Sequence, residues 1–262
     1  MLKIEVRPRE DSITSQRRDI VDRVIECFEA SVQNQRLLCF LDDQDPPDLK
    51  SRFGPANRGF YSPIHREVVV AEQSLAFMPK YVTDCIFPEN VISPVAAAVA
   101  FDGLIYLYGS TSTNEIALAM TLAHELQHAL QHASATKLWA VNTLVTQLKA
   151  CTIDRLQLTF ADIPIEREAR TVSKRLAMRL FGEERVLHYI EKNIAERVSE
   201  SDANDWIFVR GLSVSTPVNL GLETRKLLHR LSRCRTELEA VLEEAKSSDE
   251  NTFRDIHLED YF

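Results

Sequence analysis

The chain has 262 residues and a hydrophobic fraction of 45%, enough for a sizeable core in one large domain or a domain with appendages. Its 39 acidic residues outnumber 31 basic ones, and the net charge of −8 argues against a general nucleic-acid or anionic-membrane binder, since either needs a basic surface. The five cysteines are scattered and never in C-x-x-C spacing, so they read as reduced thiols of a cytoplasmic protein and not as a disulfide frame or zinc cage.

Met1 to Glu10 carries charges throughout and lacks the apolar stretch of a secretory signal. No segment approaches the length of a membrane span; the longest candidate, Val91 to Ala100, is short and contains Pro94. Lys3 to Arg7 predicts a strand. Ser15 to Val32 predicts an amphipathic helix through Ile20, Val21, Val24, Ile25 and Phe28, and Arg36 to Leu41 a second strand. Asp42 to Asp48 and Gly54 to Ser62 read as loops, Glu67 to Ala71 as a third strand, and Met78 to Pro94 as irregular. Leu104 to Tyr108 predicts a short apolar and aromatic strand, expected at a sheet edge where an extended peptide adds as a further strand. Tyr106 and Tyr108 are weak site candidates there, because aromatics alternating along a strand usually pack.

The most informative residues follow. Ser112-Thr113-Asn114-Glu115 has the form of a capping box, and no Gly or Pro interrupts the run from Asn114 to Ser134. Apolar residues recur there at three- and four-residue spacing, flanking His124-Glu125-Leu126-Gln127-His128. On a helix, positions i and i+4 lie almost above one another, so His124 and His128 present two imidazole nitrogens to one metal ion. Glu125 is placed to take a proton from water, and two His ligands with a Glu base are the parts of zinc-assisted peptide hydrolysis.

A catalytic zinc site needs a third protein ligand. His132 is more than about 10 Å along the axis from His124, too far to share an ion, and is expected as a helix-face or supporting residue. Gln131 and Ser134 stand where an H-E-x-x-H-x-x-G-x-x-H extension needs Gly and His. Asp162-Ile163-Pro164-Ile165-Glu166-Arg167-Glu168-Ala169-Arg170 instead makes a helix start with Glu166 in its first turns. His188 and His65 are lone histidines with no pattern around them.

A strand followed by an H-E-x-x-H helix, with E-x-E-A on a later helix, resembles the gluzincin branch of the zincin metallopeptidases, and within it the HtpX-type and ImmA/IrrE-type peptidases. The resemblance covers His124 to His128 and Glu166 to Ala169 only. It implies that Glu166 is the third zinc ligand, with Glu168 the alternative, and that Ala169 is the small residue that lets two helices approach. Those families have Asp or Asn where this chain has Arg170. Arg170 then pairs with Glu166 on the surface, points at the developing oxyanion, or holds the site off.

Downstream, helices are expected over Lys137 to Cys151, Pro164 to Leu180, Glu183 to Val198 and Glu223 to Lys246. The C-terminal stretch carries a stripe through Leu220, Leu227, Leu231, Cys234, Leu238, Val241 and Ala245, with Thr224 its one polar member, so it either packs on its own domain or forms an antiparallel homodimer. The expected organisation is an α+β, zincin-like metallopeptidase domain over 1–200, with a small mixed sheet followed by a mainly helical half, a C-terminal helical extension over 201–246 and a loose acidic tail over 247–262. The expected function is zinc-dependent hydrolysis of peptide or protein substrates of narrow or regulated range. The alternatives are an inactive zincin-scaffold binding protein and a metal-dependent hydrolase of a non-peptide substrate.

Overall fold

The computed structural model describes residues 3–6, 11–28, 35–41, 58–63, 101–156, 158–196, 200–248 and 253–261. The strand expected at 67–71, the irregular stretch at 78–94 and His65 lie outside them. The architecture is α+β: a small mixed sheet precedes a mainly helical remainder. Among the described residues no helix is long and apolar enough to cross a membrane.

Met1–Ala129 and Leu176–Tyr189 group into one compact unit. Its sheet has four strands, β1 (Lys3–Val6), β2 (Leu37–Leu41), β3 (Gly59–Pro63) and β4 (Gly103–Leu107), in the order β1-β2-β4-β3. β1 and β4 pair with β2 in parallel, and β3 pairs with β4 antiparallel. β2 and β4 are buried at every position, which is why both read as continuous apolar runs without alternation. β4 is therefore not an edge strand: β2 and β3 occupy both of its hydrogen-bonding edges, so no peptide adds there.

β3 falls in the segment read as loop from its Gly and Pro content. Gly59 has no Cβ, and one built there would meet Tyr106 O at 2.7 Å, so glycine permits the close approach of β3 to β4. Pro63 ends the strand, where its missing N–H costs no interior ladder bond. The register sets Phe40, Tyr106 and Phe60 side by side across three strands, and the Tyr106 ring stacks on both neighbours at centroid distances of 5.2 and 5.5 Å. Tyr106 and Tyr108 are fully buried packing residues.

Helix α1 (Asp11–Cys27) buries Ile20, Val21 and Val24, with Phe28 just beyond its end. A single turn, α2 (Gly109–Ser112), leads into α3 (Glu115–Ser134). The cap of α3 is Asn114 and not Ser112: Asn114 Oδ1 accepts from the N–H groups of Ile116 and Ala117 at 2.9 and 3.1 Å.

Leu130–Arg175 and Ile190–Phe262 form a second compact unit. It contains α4 (Thr136–Leu156), most of α5 (Pro164–Phe181), the end of α6 (Glu183–Ala195), α7 (Glu200–Gly211), α8 (Leu220–Arg230) and α9 (Arg235–Ser248). The single long helix expected over 223–246 is broken by a 3-10 turn at Ser232–Cys234. The break lets α8 and α9 both pack on α4, so Leu227, Leu231, Leu238 and Ala245 are buried within the unit, with Cys234 and Val241 partly buried beside them. The polar member, Thr224, is fully buried and accepts a 2.8 Å hydrogen bond from Asn142 of α4. The end of the chain is no loose tail, since Phe253, Ile256 and Leu258 are buried in the same cluster.

The start of α5 is fixed by Asp162. Its Oδ2 accepts from the Thr159 N–H and hydroxyl at 2.8 and 2.9 Å, and its Oδ1 accepts from Arg230 of α8 at 3.1 Å. Burial alone would raise the Asp162 pKa, but these bonds and the Arg230 charge outweigh it and hold the carboxyl below its ordinary 3.8. A depressed carboxyl pKa contributes stability that is present above the unfolded-state value and lost as pH falls through the folded one. Asp162→Asn is therefore expected to lower unfolding free energy by about 1 kcal/mol at pH 7, and the gap to wild type should close below the ordinary 3.8. Urea denaturation at pH 7 and at acid pH reads both values; a gap that persists or widens in acid rules out this role.

Candidate metal centre

Helix α3 supplies the first residues. Leu118, Leu122 and Leu126 are fully buried and commit one face to the core. At about 100° per residue, His124 and His128 fall roughly opposite those leucines, and Glu125 falls at the margin of the leucine face. The two imidazoles meet with Nε2 atoms 3.0 Å apart, ring centroids at 4.6 Å and planes at 86°. Two nitrogens at that separation share one proton between them, or turn both lone pairs to a common cation.

Helix α5 supplies the third residue. One ligand atom each from His124, His128 and Glu166 lie within 4.8 Å of one another. A tetrahedral ion with bonds near 2.0–2.2 Å holds its donor atoms about 3.3 Å apart, a separation the two imidazole nitrogens already approach. Two neutral nitrogens and one carboxylate form a donor set suited to zinc. The three residues named from the sequence as ligands are thus the three brought together.

The alternative ligand, Glu168, is engaged elsewhere. Its Oε2 accepts a 2.8 Å hydrogen bond from Nε2 of Gln131, which also donates to the Ile165 carbonyl at 3.0 Å. Gln131 is 1% exposed, and its role is not read from the sequence. A signal was present: His124, His128 and Gln131 occupy i, i+4 and i+7 of one helix face. Its partners, 34 and 37 residues away, left no mark. Ala169 is fully buried, as expected of a small residue where helices approach.

Glu125 is 6% exposed. Burial, and after it the negative charge of Glu125, push the thiol of Cys39 on β2 up to about 12, so the carboxylate lies within electrostatic reach of the sheet. Cys39 is therefore a protonated, inert core residue. His132 packs edge-on against Trp139 at 4.8 Å, as a helix-face residue, and His188 is exposed.

Arg170 is not a surface partner of its own helix. Its Nη2 lies 2.9 Å from Asp205 Oδ2 on α7, and its Nε is buried without a hydrogen-bond partner among the described residues. One turn on, Lys174 is buried and donates to the carbonyls of Arg210 and Leu212 at 2.7 and 2.9 Å, closing the C-terminus of α7. The 170/174 face of α5 is thus spent on α7, a partner with no signature in the local sequence.

Compared with family models, with curated proteins and with solved structures, the chain matches none. An ion pair as sheltered as Arg170–Asp205 should show in a double-mutant cycle. Arg170→Ala and Asp205→Ala are each expected to cost about 1.5–3 kcal/mol, with a coupling of at least about 1 kcal/mol. Chemical denaturation of the four proteins measures this, and fully additive losses would refute the pair.

Proposed function

We propose that this chain is a zinc-dependent hydrolase of peptide bonds built on a zincin-like arrangement. The observation that carries the reading is the convergence of His124, His128 and Glu166, within 4.8 Å, beside a Glu that immediately follows the first histidine. His124, His128 and Glu166 would hold the ion. When bound, zinc polarises the carbonyl under attack and acidifies water. Glu125 accepts the attacking water's proton at its carboxylate and returns it to the leaving amine nitrogen, so that the C–N bond breaks without expelling an amide anion. A base held at 6% exposure competes little with bulk water for that proton.

Peptide as substrate rests on the likeness to gluzincins. One observation favours a second reading, hydrolysis of a non-peptide amide or ester: β4 is paired on both edges and offers no place for an added strand. The residues and their roles are the same in both readings.

Purified chain is expected to carry about one zinc per monomer, and the His124→Ala/His128→Ala variant none. Glu125→Gln should retain the metal while turnover falls about a hundredfold or more, because it removes a proton acceptor and no ligand. Elemental analysis and chelator-sensitive cleavage of a peptide library check this. Stoichiometric zinc in the double His variant, or full turnover in Glu125→Gln, would sink the assignment.

A further inference from the structure

The geometry points to Gln131 as a positioning residue for the third metal ligand, an inference that rests on the zinc reading above. Gln131 Nε2 reaches two atoms on α5, the Ile165 carbonyl at 3.0 Å and Glu168 Oε2 at 2.8 Å. These belong to the residue immediately before Glu166 and the one two places after it. One buried amide therefore grips the first turn of α5 on both sides of the ligand.

A single contact would leave that turn free to roll about it, whereas two contacts from one nitrogen fix both rotation and depth. The tie comes from α3, the helix that carries the two histidines, three residues beyond His128. The bond to Glu168 is charge-assisted, so it is stronger than a neutral amide contact. It also engages one oxygen of the Glu168 carboxylate.

The test uses the full-length chain, with zinc affinity read by chelator competition and ligand geometry by the visible absorption of the Co²⁺-substituted protein. Gln131→Met keeps the side-chain length and removes the donor. It is expected to lower zinc affinity about ten- to hundredfold and to change the cobalt spectrum of folded protein, whereas Glu168→Gln, which retains an acceptor opposite the amide, should stay within about threefold of wild type. Gln131→Met with wild-type affinity and an unchanged spectrum would overturn the inference. If Gln131→Met does not fold, Glu168→Ala, at a partly exposed position, decides: reduced affinity supports the tie and unchanged affinity refutes it. Failure of the underlying reading looks different, because wild type itself would then take up neither zinc nor cobalt. Loss of metal in Glu168→Gln with retention in Glu166→Gln would reverse the ligand assignment and overturn the inference too.

Discussion

Helix α3 buries Leu118, Leu122 and Leu126 completely, and three such side chains are worth roughly 5–9 kcal/mol relative to exposure. That fixes the rotation of the helix about its own axis. With rotation set, helical geometry places His124 and His128 away from the leucines and leaves Glu125 at the boundary of the apolar face. The burial of Glu125 and its electrostatic reach to Cys39 are consequences of the same commitment. The core thus sets the rotation that leaves Glu125 and His128 both buried, at 6% and 8% exposure.

The carboxylate member is held by a different kind of force. Helix α5 is tied at its start by Asp162 to Thr159 and Arg230, in its first turn by Gln131, and farther along by Arg170 to Asp205 and Lys174 to the end of α7. Each is a directional polar contact worth about 1 kcal/mol net, more where a charge is involved. Apolar burial tolerates small slides, whereas hydrogen bonds of 2.7–3.1 Å do not. Such ties fix α5 more sharply than apolar packing alone would.

The C-terminal helices form a core in their own unit. α8 and α9 wrap onto α4, and the final residues close the cluster with Phe253, Ile256 and Leu258. Breaking one long helix at Ser232–Cys234 lets two short ones follow the surface of α4. The buried Asn142–Thr224 hydrogen bond sits where the apolar stripe is interrupted, so the polar gap in the pattern is met by a polar partner inside the core.

Local pattern suffices for most of the helices and for the relation of His124, Glu125 and His128, whereas Glu166, with Glu168 as its alternative, is named through the resemblance to the gluzincin peptidases. Helix spacing alone places His124, Glu125 and His128, because i, i+1 and i+4 relations are fixed by 3.6 residues per turn. The buried strands were legible as unbroken apolar runs, and Glu166 as an acid in the first turn of a helix that opens with Pro164. What stayed hidden depends on residues far apart in sequence. The place of β4 inside the sheet follows from β2 and β3 pairing on either side of it, and an apolar strand reads alike at an edge or in the middle. The break between α8 and α9 carries no Gly or Pro, and the helices on both sides of it pack on α4. Gln131 to Glu168 and Arg170 to Asp205 join positions 37 and 35 residues apart, across which side-chain chemistry leaves no periodic trace. Residue type and helical phase, which the sequence carries, mark the side chains that could meet at one ion; which of them lie together, and which partners Gln131, Glu168 and Arg170 take, is decided by the tertiary structure, because those partners lie far away along the chain.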